Sequence, residues 1–414
     1  MIKRLLLLFI LFVTRAFTQE LSLDDAIQKA MVTHPDIRQF ALGVKRSEAS
    51  IDVARADYLP QVNLNAEYDP IKTYIFPANG VFNTKNDYGY QIGASVHQKI
   101  WDFSKTTANI DAQKESVNIS ILTLSDAKAL LAYKVKLQYE LMLVQRKAML
   151  VRQKDLEAKE ALYKQANAFV QNGLKTSADA TRFLSSFYIA KDNLAISQAS
   201  FDKAKNMLSL YIHQDIASDV VLEDRLLSMP DVESEKEILE SSPALRALQV
   251  EVQKSSLEYE SVAATHYGSI DAVASYSYQN TLNKYDASLV GVTLNVPLYT
   301  GGRTSAYVEQ ATLNKEIAQA NYNSKLLALK EEVSSLLIDI KRYENTIKAK
   351  EAQLEAASST SSLLEARYKE GLATYIEVLD AAALRLDAEL GLLSAKYERS
   401  SAIHRLEYLQ GKTK

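Results

Sequence analysis

"NGLKTSADA" at residues 172–180 and "EGLATYIEV" at residues 370–378 are one turn written twice. Gly173 is the only glycine of residues 98–229, and Gly371 the only glycine between 303 and 390. The seven prolines all lie elsewhere, at 35, 60, 70, 77, 230, 243 and 297. Two long blocks are therefore free of chain breakers except at one point each. That pattern predicts helices that run without interruption to a glycine and then turn back.

The apolar spacing agrees. Val117, Ile121, Leu124, Leu131, Val135 and Met142 recur at helical steps, as do Val333, Leu336, Leu337, Ile340, Tyr343 and Ile347. Such spacing puts one apolar stripe on an otherwise charged surface. A helix from about 104 to 170 would span roughly 100 Å at the standard rise. A long helical hairpin or coiled coil needs that length; an ordinary globular domain does not.

Other segments also occur twice, in the same order. "WDFSKTTA" (101–108) and "YTGGRTSA" (299–306) open the two long helices, with Trp101 matching Tyr299. "HPDIRQFALGV" (34–44) parallels "SPALRALQVEV" (242–252), and Pro35 and Pro243 each suit the first turn of a helix. The chain is one unit of about 200 residues written twice. The expected division is a leader at 1–18, a first repeat at 19–211, a joining segment at 212–234 and a second repeat at 235–414. The long hairpins fall at about 103–211 and 303–410.

Each repeat carries a pair of alternating stretches before its long helix. Val62, Leu64, Ala66 and Tyr68 alternate with polar residues, as do Tyr88, Tyr90, Ile92, Ala94 and Val96. The second repeat has Ile270, Ala272, Ala274, Tyr276 and Tyr278, then Val290, Val292, Leu294 and Val296. Strands are expected at about 61–69, 87–98, 269–279 and 287–297, with polar loops at 70–86 and 280–286. The alternation fits an outer-membrane barrel and also a half-buried soluble sheet. Tyr68, Tyr88 and Tyr278, near strand ends, suit an interfacial aromatic girdle. Four strands cannot close a barrel, so a barrel reading requires a cyclic homo-oligomer.

The start of the chain, "MIKRLLLLFILFVTRAFTQE", has two basic residues followed by a short apolar run, which reads as a secretory signal cleaved near Ala16 or Thr18. There is no cysteine, which excludes disulfides, thiolate metal sites and cysteine nucleophiles. The five histidines are scattered without ligand spacing, so neither a metal site nor a cofactor is expected. The formal net charge is −3 and no basic run suggests nucleic acid.

These features together resemble the TolC-type outer-membrane efflux proteins (outer membrane factors). The resemblance rests on the two turns, on "IWDFSKTTA" and "PLYTGGRTSA", on "LSLDDAIQKAMVTHPDI" (21–37) and on the order in which they come. It implies a mainly α fold with a transmembrane β-barrel, in which a homotrimer forms one 12-stranded barrel and a long α-helical periplasmic tunnel. The implied function is passive: an exit duct in the outer membrane of a Gram-negative bacterium. An inner-membrane transporter and a periplasmic adaptor (membrane fusion protein) would feed the duct in efflux or type I secretion, and its barrel would contact outer-membrane lipid.

By the same resemblance, the turn residues Gly173, Leu174, Thr176, Gly371, Leu372 and Thr374 would form the tip that docks the adaptor. Glu377 and Asp380 would supply acidic rings of the pore gate, and Tyr368 and Asp179 would latch neighbouring helices. At position 373 this chain has alanine where the best-known member of the family has an arginine that links helices, so that part of the lock is missing or is replaced by the nearby Lys175. Glu377 and Asp380 are three apart and share a helix face, so threefold repetition would stack like charges and favour cations. Without the resemblance, the same pair reads as a solvated helix face.

Two other readings remain. Paired carboxylates can serve a glycosidase, but such acids need an enclosed pocket, and these two sit on one helix near a turn; no enzyme is expected. A periplasmic adaptor or other coiled-coil envelope protein is the alternative, although an adaptor would carry one hairpin rather than two.

Overall fold

The computed structural model describes residues 20–78, 80–224, 234–280 and 284–413. The expected leader at 1–18 lies outside them, as do residues 225–233 of the joining segment. Along the chain come β1 (Glu20–Leu21), α1 (Leu23–Thr33), α2 (Pro35–Ala56), β2 (Gln61–Ala78), β3 (Val81–Trp101), α3 (Lys105–Gln171) and α4 (Ser177–Ile212). They are followed by β4 (Val221–Leu222), α5 (Glu235–Ser241), α6 (Pro243–Ala263), a 3₁₀ turn (Ala264–His266), β5 (Ser269–Asn280), β6 (Lys284–Asn295), α7 (Arg303–Lys369) and α8 (Tyr375–Leu409). The series helix, strand pair, 67-residue helix and shorter helix thus occurs twice.

The chain divides into two compact units. One takes the described residues of Asp36–Ala127 and Glu235–Glu332, the other those of Met1–Pro35, Lys128–Ser234 and Val333–Lys414.

In the first unit the strands form one antiparallel sheet in the order β2-β3-β5-β6. Its register joins like with like: Val62 faces Val96, Val96 faces Ala274, and Ala274 faces Val290. The neighbouring row on the other face runs Asn63, Ser95, Ser275 and Leu289. One face is therefore apolar and the other mainly polar, as the period-two pattern demands. The apolar face is uncovered: Val62, Leu64, Val290 and Leu294 are 71%, 76%, 89% and 67% exposed. Among the described residues nothing covers these four side chains as a half-buried soluble sheet would.

The first hairpin departs from expectation. Residues 70–86 are not a loop: β2 and β3 stay paired through Thr73–Asn86, Ile75–Thr84 and Ala78–Val81. Two features hid this. A bulge between Asp69 and Lys72 shifts the alternation by one residue. Pro70 and Pro77 look like breakers, but β2 is an edge strand, where a missing N–H costs no internal ladder bond. The second pair is also tighter than expected, pairing as far as Asn280–Lys284 and leaving only 281–283 outside the described residues.

Both strand-to-helix junctions use the same backbone path. In the second repeat Gly301 and Gly302 have φ of 64° and 83°; in the first, the matching Phe103 and Ser104 adopt φ of 55° and 71°. Left-handed backbone costs a side-chain-bearing residue roughly 1–2 kcal/mol. The first junction offsets that strain with Asp102, which is buried, accepts from the Thr106 amide at 3.0 Å and accepts the Tyr58 hydroxyl at 3.0 Å.

In the second unit, β1 and β4 pair in parallel, which gives the expected joining segment a short strand. The buried Tyr139 of α3 bridges them: its hydroxyl donates to the Leu21 carbonyl at 2.7 Å and accepts from the Glu223 amide at 2.8 Å. Beside it, α3 and α8 share a buried polar network. Lys136 pairs with Glu407 at 2.7 Å, and the His404 ring lies between Glu407 at 2.8 Å and Glu140 at 2.9 Å. Ser400 donates to Glu140 at 2.6 Å.

Both ring nitrogens of His404 face carboxylates, an arrangement that favours the doubly protonated ring. Burial disfavours its charge, but the hydrogen bonds to Glu140 and Glu407 win, and the His404 pKa is raised. Burial likewise opposes the Glu407 charge, yet His404 and Lys136 hold its pKa down at about 2.

These shifts set a pH window. The His404 contribution to stability is complete below its ordinary value of 6.5 and is lost as pH rises through the raised value. The Glu407 contribution, on the order of 3 kcal/mol by linkage, is present above its ordinary 4.5 and lost as pH falls towards about 2. Thermal unfolding of His404→Gln is expected to fall several degrees below wild type near pH 6, with the gap closing in alkaline buffer. A gap independent of pH would contradict the assignment. For the junctions, Ser104→Gly should raise stability by about 1 kcal/mol by removing left-handed strain, measured as a shift in unfolding midpoint.

Candidate functional site at the helical tip

The turns singled out in the sequence close both long helices in the same way. Gly173 and Gly371 have φ of 72° and 75°. The Gly173 amide bonds the Val170 carbonyl at 3.0 Å, and the Leu174 amide bonds Phe169 at 2.9 Å. In the second repeat Gly371 bonds Tyr368 at 3.0 Å and Leu372 bonds Arg367 at 2.8 Å. This paired 5→2 and 6→1 pattern is the Schellman motif, which needs a residue free to adopt left-handed φ. Leu174 and Leu372 consequently point outward, 67% and 68% exposed.

Helices α4 and α8 then start on Thr176 and Thr374, both extended. At Thr374 the cap is reciprocal. The Glu377 carboxylate accepts from the Thr374 amide at 2.7 Å and from its hydroxyl at 2.8 Å, while the Glu377 amide donates back to that hydroxyl at 3.4 Å. The bond from the Thr374 backbone, and then that from its hydroxyl, hold the Glu377 carboxyl below its usual range. Asp179 occupies the equivalent place in α4, one methylene shorter, and Thr176 makes no side-chain cap bond. Glu377 and Asp380 are both exposed.

Between the turns lies a buried cluster of Leu162, Ala166, Ala180, Phe183, Tyr368, Ala373 and Val378, drawn from both hairpins. Tyr368 is fully buried and stacks near Phe183 at 5.4 Å and Phe169 at 6.0 Å between ring centres. Its hydroxyl is buried without a hydrogen-bond partner among the described residues. Burial, and then the nearby Asp179 charge, push its pKa up. Tyr368 and Asp179 are thus neighbours without the hydrogen bond that a latch between them would use.

Lys175 lies over the Tyr368 ring at 5.7 Å. Ala373 is only 5% exposed within the apolar cluster, so position 373 contributes packing. Two residues passed over in the sequence join the site: Arg182 of α4 sits over the ring of Tyr375, the first residue of α8, at 5.2 Å. The signal available for them was an aromatic at a helix start and a cation at the matching height on the other hairpin.

Comparison with known proteins agrees with this architecture. The family pattern described as outer membrane efflux protein matches twice, over residues 26–212 and 236–412. Outer membrane protein TolC of Escherichia coli K12 is 24% identical over 415 residues, covering 92% of this chain and 80% of TolC. Cation efflux system protein CusC of the same organism is 21% identical over 408 residues, covering 93% and 85%. Among solved structures, a membrane protein from Pseudomonas aeruginosa superposes with a TM-score of 0.85 at 19% identity, covering 94% of this chain and 90% of that one. VceC from Vibrio cholerae superposes with a TM-score of 0.82 at 17% identity, covering 95% and 97%. With both repeats matched over almost their whole length, the chain belongs to the family of outer membrane efflux proteins.

Proposed function

We propose that the chain is one protomer of a trimeric exit duct in the Gram-negative outer membrane, through which an inner-membrane transporter and a periplasmic adaptor discharge substrates. The observation that carries this reading is the sheet: its apolar face is bare and both its edge strands, β2 and β6, are open. Hydrocarbon tolerates the bare face but not the open edges, whose backbone groups would lack partners. Among the described residues no helix is long and apolar enough to cross a membrane, so the sheet is the element left for that task.

Ring closure between β6 of one copy and β2 of the next satisfies both edges. Two copies would give eight strands, whose interior fills with side chains. Three copies of the four-stranded sheet give twelve, the smallest ring of this unit that leaves room for a water-filled lumen. The face carrying Asn63, Asn65, Glu67, Ser95 and Ser275 would line it.

In this reading the tip turns with Gly173, Leu174, Thr176, Gly371, Leu372 and Thr374 are the adaptor-docking end. Glu377 and Asp380 form stacked acidic rings that draw cations to the mouth. The Thr374 bonds keep Glu377 ionised. Relatives include proteins named for cation efflux and for toluene efflux.

Two measurements test the proposal. Detergent-solubilised protein should have a mass near three times 46.2 kDa and should migrate differently before and after heating; a water-soluble monomer would support the adaptor alternative instead. In planar bilayers the double variant Glu377→Gln, Asp380→Asn should lose most of the wild-type cation preference. Glutamine can retain the cap at position 377, so the change reports charge. Unaltered selectivity would remove the acidic rings from the gate.

A further inference from the structure

We propose that the part of the β2–β3 hairpin beyond the four-stranded sheet is a membrane-surface arm, bent at the Asp69–Lys72 bulge so that its outward face rests on the outer leaflet of the bilayer. This rests on the exit-duct reading and adds to it a lipid contact outside the barrel wall.

β3 pairs with β5 only as far as Tyr90, opposite Asn280, whereas it stays paired with β2 up to Val81. A two-stranded ribbon thus runs roughly 30 Å beyond the sheet at the usual strand rise. It leaves the sheet at the end opposite to α2 and α3, which is the outer side when those helices are periplasmic. The sheet does not need the extra length to span: β5 has 12 residues, and a tilted transmembrane strand takes about 9–11. The outward face of the sheet also marks where the bilayer ends. Lys284 and Asp286 share that face with Val290, and the ring of Tyr278, opposite Asp286, lies 6.0 Å from that of Tyr90. Charges and aromatic rings at this height belong at the headgroups.

Beyond that level the outward face should turn polar, and it does not. Below the bulge, even-numbered β2 residues share the outward face with even-numbered β3 residues, as Val62 with Val96 and Tyr68 with Tyr90. Above it, odd-numbered β2 residues take that place: Thr73 faces Asn86, Ile75 faces Thr84 and Pro77 faces Phe82. The apolar residues of β2 change parity together with the backbone, so the bulge preserves one continuous apolar face. Ile75 and Phe82 are 68% and 77% exposed. Thr73 and Asn86 on this face satisfy each other, the hydroxyl donating to the side-chain oxygen at 2.8 Å.

The charges are sorted to match. Lys72, Lys85 and Asp87 all lie on the inner face, where Lys85 pairs with Asp87 at 2.9 Å and Lys72 with Asp69 at 2.6 Å. Tyr74 lies on the inner face too, folded back over Gly89, where an added Cβ would sit 2.7 Å from its hydroxyl. A ribbon standing in water needs no such sorting; one with water on one side and lipid on the other does. A bulge bends its strand, and an outward bend lays Ile75, Pro77 and Phe82 on the leaflet. The open edges of the ribbon cannot enter hydrocarbon, so it lies at headgroup depth with only these side chains reaching the acyl chains.

Because the chain has no cysteine, single cysteines can carry a nitroxide label without other changes. Three labelled trimers in proteoliposomes are compared: Thr84→Cys on the outward face of the ribbon, Lys85→Cys on its inner face and Val292→Cys on the barrel wall. Collision rates are measured with oxygen, which concentrates in lipid, and with a water-soluble nickel chelate. The oxygen-to-chelate ratio at position 84 should approach that at 292 and exceed that at 85 several-fold. Adding Ile75→Asp and Phe82→Asp to Thr84→Cys should lower the ratio to the level at 85.

A label at 84 as open to the chelate as the label at 85 would overturn the arm. So would a label at 84 shielded from both probes, which would place protein, such as the ribbon of a neighbouring copy, over this face. A label at 292 that meets the chelate rather than oxygen would remove the barrel reading itself, and the arm with it. Should the aspartate variant fail to assemble, the three single labels decide the matter alone.

Discussion

A β-strand edge in hydrocarbon must find a partner, and this chain presents two edges on a sheet with one bare apolar face. The cost of an unpaired backbone group in lipid is several kcal/mol, and an edge strand exposes a row of them. Among the described residues nothing in the chain pairs the free sides of β2 and β6. Association is therefore a condition for the sheet to enter a membrane at all. The helices inherit that condition, because α3 and α7 begin directly after β3 and β6 in the same chain.

The internal repeat lets the same physical problem be solved twice with different residues. At the strand-to-helix junctions, Gly301 and Gly302 adopt left-handed backbone at little cost, whereas Phe103 and Ser104 do so beside the buried Asp102 cap. At the tips the two Schellman turns are alike bond for bond. The helices that follow are not: Glu377 closes a reciprocal cap and Asp179 does not. At these two places divergence is confined to side chains while the backbone path is kept.

Much of this was legible from residue types alone. Long helices followed from the absence of proline and glycine, and the turns from Gly173 and Gly371, because those residues act through backbone freedom that is local in sequence. The reach of β2 and β3 was not legible. Proline is a breaker or an innocent edge residue depending on which strand lies beside it, and that is a tertiary fact. The bulge at Asp69 to Lys72 also reverses the parity on which pattern reading depends. The apolar face was visible as alternation, yet only its exposure separates a lipid-facing sheet from a covered one. At the tip, Tyr368 stands out in the sequence as a latch between neighbouring helices; its surroundings add that it is a buried ring with an unpartnered hydroxyl among the described residues. Arg182 and Tyr375 escaped notice because their relation crosses from one repeat to the other.

Glu377 shows why a residue's structural and functional readings need not compete. Its carboxylate accepts two bonds from Thr374, which fixes the start of α8. Those same bonds favour the ionised form, so the cap preserves the charge that an acidic ring requires. They also take away freedom: a carboxylate tied to its own helix end cannot swing to meet a passing ion. Asp380, one turn further along and exposed, carries no cap bond. In the proposed trimer the two rings would then differ in kind, one a fixed charge set by helix geometry and the other an adaptable one.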